Sequence, residues 1–205
     1  MSQTFAPIPL VAHLQQPASE VMSRAFLNDP LWKYLVPAEA RRARVVSLSM
    51  NILVRYSLLY GEIYTTPTLD GVACWLTPGK TTPTFSRLAR IGIRSAPFQL
   101  GWTGFRRYSA IENYCGEVHK HIVPGKHWYL WGLGVEPSRQ GQGIGGMLMQ
   151  PVIAQADADH VPCYLETMNE KNVPFYKKHG FKVVSDAEVP RHGLRLWAML
   201  REPGR

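Results

Sequence analysis

The stretch of this chain most suited to chemistry is a glycine-rich turn between an apolar, strand-like segment and a helix-like one. Backbone N–H groups at the start of a helix lack internal partners, and the helix dipole adds partial positive charge there, so this position attracts anions. Glycines omit the Cβ atoms that would hold a phosphate away from the backbone. We therefore predict an anion-binding turn made by Gln140, Gly141, Gln142, Gly143, Ile144, Gly145 and Gly146.

Two other interpretations fit the same glycines. A turn without a ligand also uses glycine, although four glycines within six residues exceed what a simple turn requires. Gly141, Gly143 and Gly146 match the G-x-G-x-x-G dinucleotide fingerprint, with Glu166 following 20 residues later as a ribose-binding acid. Only 39 residues follow Glu166, too few for the further units of a dinucleotide fold. A Walker loop is excluded because neither Lys-Ser nor Lys-Thr follows the glycines.

Composition narrows the class of protein. Of 205 residues, 45% are hydrophobic and 19% charged, a globular balance that excludes a disordered chain. Lysine and arginine outnumber acids 23 to 15, giving a net charge of +8 that favours an anionic ligand. The basic residues are scattered rather than gathered in a stripe, so we expect no nucleic-acid partner. Because no apolar run reaches about 18 residues, we expect no membrane partner.

The cysteines argue against a metal centre. Cys74, Cys115 and Cys163 are far apart, and none belongs to a C-x-x-C pair. This spacing disfavours a disulfide framework or a zinc site and favours a reducing compartment. Residues 1–15 also lack the basic and apolar regions of a signal peptide. We therefore expect a cytoplasmic protein without a metal.

The elements that hold the turn are predicted in the last third of the chain. A dense apolar strand at 128–135 leads through the turn into a helix from about Ile144, and a second strand follows at 163–167. This order is a βαβ unit, so the two strands should be parallel. A short helix at 173–179 and strands at 181–184 and 194–200 complete the sheet.

The side-chain pattern in the first part of the chain predicts mostly helices. A weak strand at 7–11 precedes a helix at 18–27 with Ser19 near its N-cap, and a stronger helix at 45–60 ends at Gly61. Strands at 62–66 and 72–77 flank a turn and indicate a hairpin. Residues 80–125 are less regular, with helical patterns at 85–93 and 105–121 broken by Pro97, Gly101 and Gly104.

Two motifs resemble the signature of the GNAT superfamily of acetyl-CoA-dependent N-acetyltransferases. The first, V-x-P followed by Q/R-x-x-G-x-G/A, is carried by Val135, Pro137, Gln140, Gly143 and Gly145. The second, Asn and then Phe-Tyr-x-x-x-Gly-Phe, is carried by Asn169, Asn172, Phe175, Tyr176, Gly180 and Phe181. The segments 127–130 and 164–167 are most similar to the puromycin N-acetyltransferase-like subgroup, and the opening with Asp29 and Pro30 matches it more loosely.

The resemblance implies an α/β fold with a mixed, mainly antiparallel sheet of six or seven strands, in which two parallel central strands splay apart between flanking helices. Acetyl-CoA would lie in the gap, with its diphosphate on the glycine-rich turn and its pantetheine arm paired to the backbone of Leu133, Gly134 and Val135. Glycines at 132 and 134, inside a bulky strand, are typical of a bulge or a close approach. Alternatively, these glycines make room for the neighbouring tryptophans.

Amine acetylation needs a neutral amine, a polarised thioester carbonyl and a proton for the leaving thiolate. Tyr176 matches the family's tyrosine, and the acidity of a phenol suits a thiolate, so we predict it as the general acid, with core packing as the alternative. Glu166, on the second splayed strand, is the predicted general base, and a purely structural role remains open. Further candidate bases are Glu112, Glu117 and His119. His127, at the start of the first strand, should lie at the wrong end.

Asn169 and Asn172 stand at the beginning of the short helix. Asparagine commonly caps a helix, whereas the resemblance implies a hydrogen bond to the pantetheine, and the two roles do not exclude each other.

We expect an acetyltransferase that moves an acetyl group from acetyl-CoA directly to a primary amine of a small molecule, without a covalent enzyme intermediate. Two alternatives stay open: an acceptor amine on a protein or peptide, and a non-catalytic module that binds acyl-CoA. Residues 1–205 are expected to form one domain, with 1–126 on the acceptor side and 127–205 binding acetyl-CoA. The acceptor's identity and the oligomeric state do not follow from the sequence.

Overall fold

The computed structural model describes residues 6–91 and 96–204. Its centre is a seven-stranded sheet in the order β1-β2-β3-β4-β5-β7-β6. The strands are β1 (Ile8–Pro9), β2 (Gly61–Thr65), β3 (Gly71–Leu76), β4 (Trp128–Val135), β5 (Cys163–Thr167), β6 (Lys182–Val189) and β7 (Leu194–Arg201). The β4–β5 pair is parallel and the other pairs are antiparallel, which confirms the predicted mixed sheet.

Helices cover both faces of this sheet. They are α1 (Gln15–Phe26), α2 (Pro30–Leu35), α3 (Glu39–Tyr60), α4 (Phe85–Arg90), α5 (Ala96–Ile122), α6 (Ile144–Ala158) and α7 (Val173–Lys178). Alternate residues of β3 divide the core: Val72 and Cys74 pack with α1, α2, α3 and α5, whereas Ala73 and Trp75 pack with α6 and α7. We call these the α1–α5 face and the α6–α7 face. None of the helices in the described ranges is long and apolar enough to cross a membrane.

Short-range sequence patterns predicted most helices and strands, and where the observed bounds differ from the predicted ones the cause is local. Helix α1 begins at Gln15, so Ser19 lies inside it, buried, and its hydroxyl donates to the Gln15 carbonyl rather than capping. Helix α2 was not predicted, because six residues are too short to show a period. Its start is nonetheless marked by Asp29, whose side chain accepts from the Leu31 N–H, and by Pro30 in the first turn.

The middle of the chain is more helical than its glycines suggested. Helix α5 runs through Gly104 and absorbs Gly101 as a kink, where φ is +69°. Helix α4 covers Phe85–Arg90, and residues 92 and 93 at the end of the predicted helix lie outside the described residues. Helix α3 begins at Glu39, earlier than expected, and ends before Gly61 as predicted.

Candidate active site

The two parallel strands separate soon after they pair. Strand β4 pairs with β5 only at Trp128, Tyr129 and Leu130, opposite residues 163–165. On its other side, β4 pairs with β3 to its end, with a shift in register that leaves Trp131 as an extra, bulged residue between Leu130 and Gly132. The bulge bends β4 where its pairing with β5 stops. A gap therefore opens between the second half of β4 and the end of β5, as the family resemblance implied.

Gly132 and Gly134 let helix α1 lie directly on β4. A Cβ at Gly132 would come within 2.9 Å of the Met22 Cε, and one at Gly134 within 2.7 Å of the Met22 Sδ. The neighbours that require these glycines are therefore on α1 and α3, not the tryptophans we considered. With α1 seated on one face and β3 on one edge, the other edge of Leu133, Gly134 and Val135 has no strand partner within the described residues.

The glycine-rich turn stands at the mouth of this gap. Gly141 and Gly143 have φ of +77° and +82°, a conformation that disfavours other residues. A Cβ at either position would meet nothing within 4 Å, so the space above the backbone is open. Gly143 is the N-cap of α6 and supplies no side-chain cap, and residues 140–143 are exposed. The first N–H groups of α6 are thus available to an anion such as the diphosphate of acetyl-CoA.

The other two glycines of the turn serve packing. A Cβ at Gly145 would lie 3.2 Å from the Phe175 Cζ, and one at Gly146 would overlap the His179 ring, 2.6 Å from its Nε2. Both are buried in the first turn of α6. These positions hold α7 and the residue after it against α6 rather than leaving room for a phosphate.

Helix α7 carries Tyr176 into the α6–α7 face. Tyr176 is buried among residues that include Leu130 and Leu165 of the two parallel strands. Burial raises the pKa of Tyr176 above its usual range, and the negative charge of Asp29 adds a smaller increase. The raised pKa keeps the phenol protonated at neutral pH, but it also makes Tyr176 a weaker acid than the free phenol considered in the sequence analysis. Core packing and chemistry are both compatible with this position.

Glu166 lies on the opposite face. Its side chain lies on the same side of β5 as that of Tyr164, whereas Cys163 and Leu165 face α6. The Tyr164 hydroxyl donates to Glu166 Oε1 at 2.7 Å, and the Tyr129 hydroxyl donates to Oε2 at 3.4 Å. Burial raises the pKa of Glu166 to about 8, and these two hydrogen bonds oppose the rise. A carboxyl that titrates near neutral pH can accept a proton from an ammonium group.

The structure places the other candidate bases in different environments. Glu112 on α5 lies close enough for its charge to raise the pKa of Glu166. Glu117 is exposed and paired to Lys120 at 2.8 Å. His119 and His127 are buried together, with their Nε2 atoms 2.6 Å apart, at the end where β4 and β5 are still paired. Of this set, Glu112 acts on Glu166 through its charge, and the His119 ring stacks on Tyr164, whose hydroxyl donates to Glu166.

The two asparagines differ. The Asn169 side chain accepts from the Lys171 N–H at 3.2 Å and so caps the 3-10 turn Glu170–Asn172. Asn172 immediately precedes α7 and makes no side-chain cap. Its side chain is thus the freer of the two for a ligand.

Asp29 is an acid near Tyr176 to which the sequence interpretation gave no role at the site. It lies within electrostatic reach of Tyr176, and burial raises its pKa to about 6 although it accepts from Leu31. From the sequence, Asp29 was interpreted only as the residue that follows the first predicted helix and as part of the weaker match to the family subgroup. An Asp-Pro pair at a helix start was the available signal.

Comparison with known proteins agrees with this geometry. The family model described as the acetyltransferase (GNAT) family matches residues 98–181. An uncharacterized N-acetyltransferase of Schizosaccharomyces pombe is 24% identical over 194 residues, which cover 91% of this chain and 78% of that protein. Both matches support an acyltransferase.

Solved structures share the fold over the whole chain. A Corynebacterium glutamicum structure described as histone acetyltransferase HPA2 and related acetyltransferase has a TM-score of 0.68 at 19% identity, covering 100% of this chain and 98% of that one. Arylalkylamine N-acetyltransferase 2 of Aedes aegypti has a TM-score of 0.62 at 13% identity, covering 98% and 100%. At these identities the likeness is one of fold.

Proposed function

We propose that this chain is an acyltransferase of the GNAT acetyltransferase family and that it transfers the acetyl group of acetyl-CoA directly to a primary amine of a small molecule. The observation that carries this proposal is the gap between β4 and β5, with the open glycine turn at its mouth and Glu166 and Tyr176 beside it. Acetyl-CoA supplies an activated acyl group as a thioester; the residues of this chain bind it and move protons.

Backbone groups hold the cosubstrate in this proposal. The N–H groups at the start of α6, with Gln140, Gly141, Gln142 and Gly143 of the turn, bind the diphosphate. The free edge of Leu133, Gly134 and Val135 pairs with the amides of the pantetheine arm as an added strand would. Asn172 contributes a side-chain hydrogen bond, and Asn169 shapes the turn that precedes it.

Glu166 and Tyr176 then divide the proton transfers. The Glu166 carboxylate takes a proton from the acceptor ammonium, which frees the nitrogen lone pair to form a bond with the thioester carbonyl carbon. As the carbon–sulfur bond breaks, the Tyr176 hydroxyl donates its proton to the sulfur, and the second proton that the acylated nitrogen loses returns to the Tyr176 phenolate. No residue becomes acylated: Cys74, Cys115 and Cys163 are buried, and burial raises the pKa of each thiol, which disfavours a nucleophilic thiolate.

A small amine is the acceptor that we favour over a peptide. Aromatic side chains of α5, among them Phe105, Tyr108 and Tyr114, pack against the core of the α1–α5 face, and aromatic walls are typical of pockets for small organic ligands. The motifs at 127–130 and 164–167 further support the puromycin N-acetyltransferase-like subgroup, so aminonucleosides belong in the first substrate panel.

The proposal is tested by turnover and by calorimetry on the full chain. We expect acetyl-CoA and CoA to bind with measurable heat, and free thiol to appear when acetyl-CoA is mixed with a suitable small amine. Binding without thiol release from small amines, histone-type peptides or aminonucleosides would indicate a non-catalytic acyl-CoA-binding module. Release of free thiol with peptides alone would indicate that the acceptor amine belongs to a protein.

A further inference from the structure

Glu166 is the first residue of β5 beyond its pairing with β4. The parallel pairs end at Leu130 and Leu165, and on that edge Glu166 and Thr167 have no strand partner within the described residues. The Glu166 residue is partly exposed, in contrast to the fully buried Tyr164 two positions earlier. The carboxylate therefore stands at the border between the closed part of the sheet and the gap.

The two oxygens of this carboxylate are held unequally. The Tyr164 hydroxyl donates to Oε1 at 2.7 Å, the length of a strong bond from a hydroxyl to a carboxylate. The Tyr129 hydroxyl is 3.4 Å from Oε2, longer than hydrogen bonds of this kind. None of the ion pairs in the described ranges includes Glu166. Oε1 is therefore occupied by Tyr164, and Oε2 keeps most of its capacity to accept a proton.

The tyrosine that holds Oε1 is itself fixed by packing. Its ring stacks on the His119 ring, with centroids 4.4 Å apart and planes 12° apart. His119 is bonded in turn to His127, with their Nε2 atoms 2.6 Å apart, and His127 Nδ1 donates to the Gly125 carbonyl at 2.7 Å. Burial also raises the pKa of Tyr164, so its hydroxyl stays protonated as a donor. A donor on a locked ring fixes the orientation of the carboxylate that it holds.

We propose that Tyr164 is a positioning residue for the general base: by holding Oε1, it leaves Oε2 of Glu166 as the atom that takes the proton from the acceptor ammonium. This inference rests on the proposed function, in which Glu166 is the base. A nitrogen–hydrogen bond of the ammonium breaks as the bond between this proton and Oε2 forms, and the nitrogen keeps the electron pair that attacks the thioester. The buried histidine pair, to which the proton transfers gave no role, then acts through Tyr164.

Tyr164→Phe removes the hydroxyl and keeps the stacked ring. A hydrogen bond to the ionised form of an acid lowers its pKa, so removing the bond raises that of Glu166. We expect the acidic limb of kcat/KM to move to higher pH by about one pH unit, and kcat/KM on the plateau to fall about 10-fold, as for one charge-assisted hydrogen bond. KM for acetyl-CoA should stay within about two-fold. The other titratable groups around the carboxylate, Glu112 and Cys115 of α5 and Tyr129 of β4, are the same in this variant.

Two further phenylalanine variants make the comparison specific. Tyr129→Phe removes the more distant hydroxyl, so the limb should move less and kcat/KM on the plateau should stay within about three-fold. Tyr64→Phe also breaks a hydrogen bond from a phenol to a glutamate, at 3.1 Å to Glu62 on the surface, and should change neither quantity.

His119→Gln is a second variant that keeps the Tyr164 hydroxyl and removes the ring that stacks on it. The limb should move in the same direction as in Tyr164→Phe, by a smaller amount. The melting temperature of each variant shows that its fold is kept.

An unmoved limb in Tyr164→Phe would overturn the positioning role and leave amine acetylation intact, even with a lower plateau, because a merely structural defect has that signature. Equal effects of Tyr164→Phe and Tyr129→Phe would also overturn it, since the two oxygens would then be equivalent. Absence of turnover with every amine in the wild-type chain would instead overturn the proposed function, and this inference with it.

Discussion

Glu166 and Tyr176 lie on opposite faces of the sheet. Glu166 shares its side of β5 with Tyr164, on the α1–α5 face, while Tyr176 is packed with Leu130 and Leu165 on the α6–α7 face. Because the strands pair at only three positions, the sheet does not separate the two groups beyond that point. In the proposed mechanism, a thioester in the gap meets its amine on the side of Glu166 and its proton donor on the side of Tyr176.

Replacing Tyr176 by Phe removes the hydroxyl and keeps the ring in the core. We expect kcat to fall by about 10²- to 10⁴-fold, the usual contribution of a positioned acid, with acetyl-CoA affinity nearly unchanged. Steady-state kinetics and calorimetry measure the two quantities. Tyr64→Phe, which removes a surface hydroxyl bonded to Glu62, is the control. An unchanged kcat across the pH range would refute the assignment of Tyr176.

The pH profile of kcat/KM reports the state of Glu166. Since the base must be ionised and burial raises its pKa to about 8, activity should rise with pH through that region. Glu112→Gln removes a neighbouring charge that raises this pKa, so the acidic limb should move to lower pH. A limb that reflects only titration of the amine substrate would stay in place in this variant.

Gly146→Ala tests the packing of α7. The added methyl group overlaps the His179 ring, so this ring must move, and a shift that reaches the end of α7 also disturbs Tyr176. We expect a loss of about 1–3 kcal/mol in the free energy of unfolding, together with a lower kcat. The double variant Gly146→Ala with His179→Ala should recover much of both, because the ring that clashes is gone.

A helical glycine with free surroundings is the control for that substitution. Gly116 lies in α5 with nothing within 4 Å of an added Cβ, so Gly116→Ala should be neutral or stabilise by about 0.5–1 kcal/mol. Denaturant unfolding measures all three variants. Equal losses in Gly146→Ala with and without His179 would contradict the role of this contact.

The buried histidine pair should make stability fall in mild acid. His127 Nδ1–H donates to the Gly125 carbonyl at 2.7 Å, so its Nε2 accepts from His119 Nε2–H. Burial, and then the neighbouring His127, lower the pKa of His119 to about 4. The folded state thus resists a proton that the unfolded chain binds near 6.5, and the stability due to this neutral pair is lost as pH falls from 6.5 towards 4.

His119→Gln keeps a donor to His127 and cannot titrate in this range. Its melting temperature should therefore decline less between pH 6.5 and 4 than that of the wild-type chain, by about 2–4 °C for each kcal/mol of difference. His160→Gln, at an exposed position, is the control. Parallel melting curves for His119→Gln and the wild-type chain would contradict the prediction.

The sequence by itself determined the local part of this protein. Strand β4, the glycine turn, helix α6 and strand β5 follow from side-chain period and from glycine chemistry, which act between neighbours in the chain, and the parallel pairing follows from a helix placed between two strands. The motifs also led to the family that the comparison supports. The same local signals did not show α2, because six residues carry no period.

Only the tertiary structure decided which distant groups share a space. It assigned Gly145 and Gly146 to packing with α7, and Gly132 and Gly134 to contact with α1, though all were open to ligand roles in the sequence. It placed the Tyr129 and Tyr164 hydroxyls on Glu166 and paired Glu117 with Lys120 on the surface, although residue spacing left both acids as candidate bases. The reason is that helix rotation and strand divergence depend on packing between elements far apart in the chain, and residue spacing carries no record of that packing.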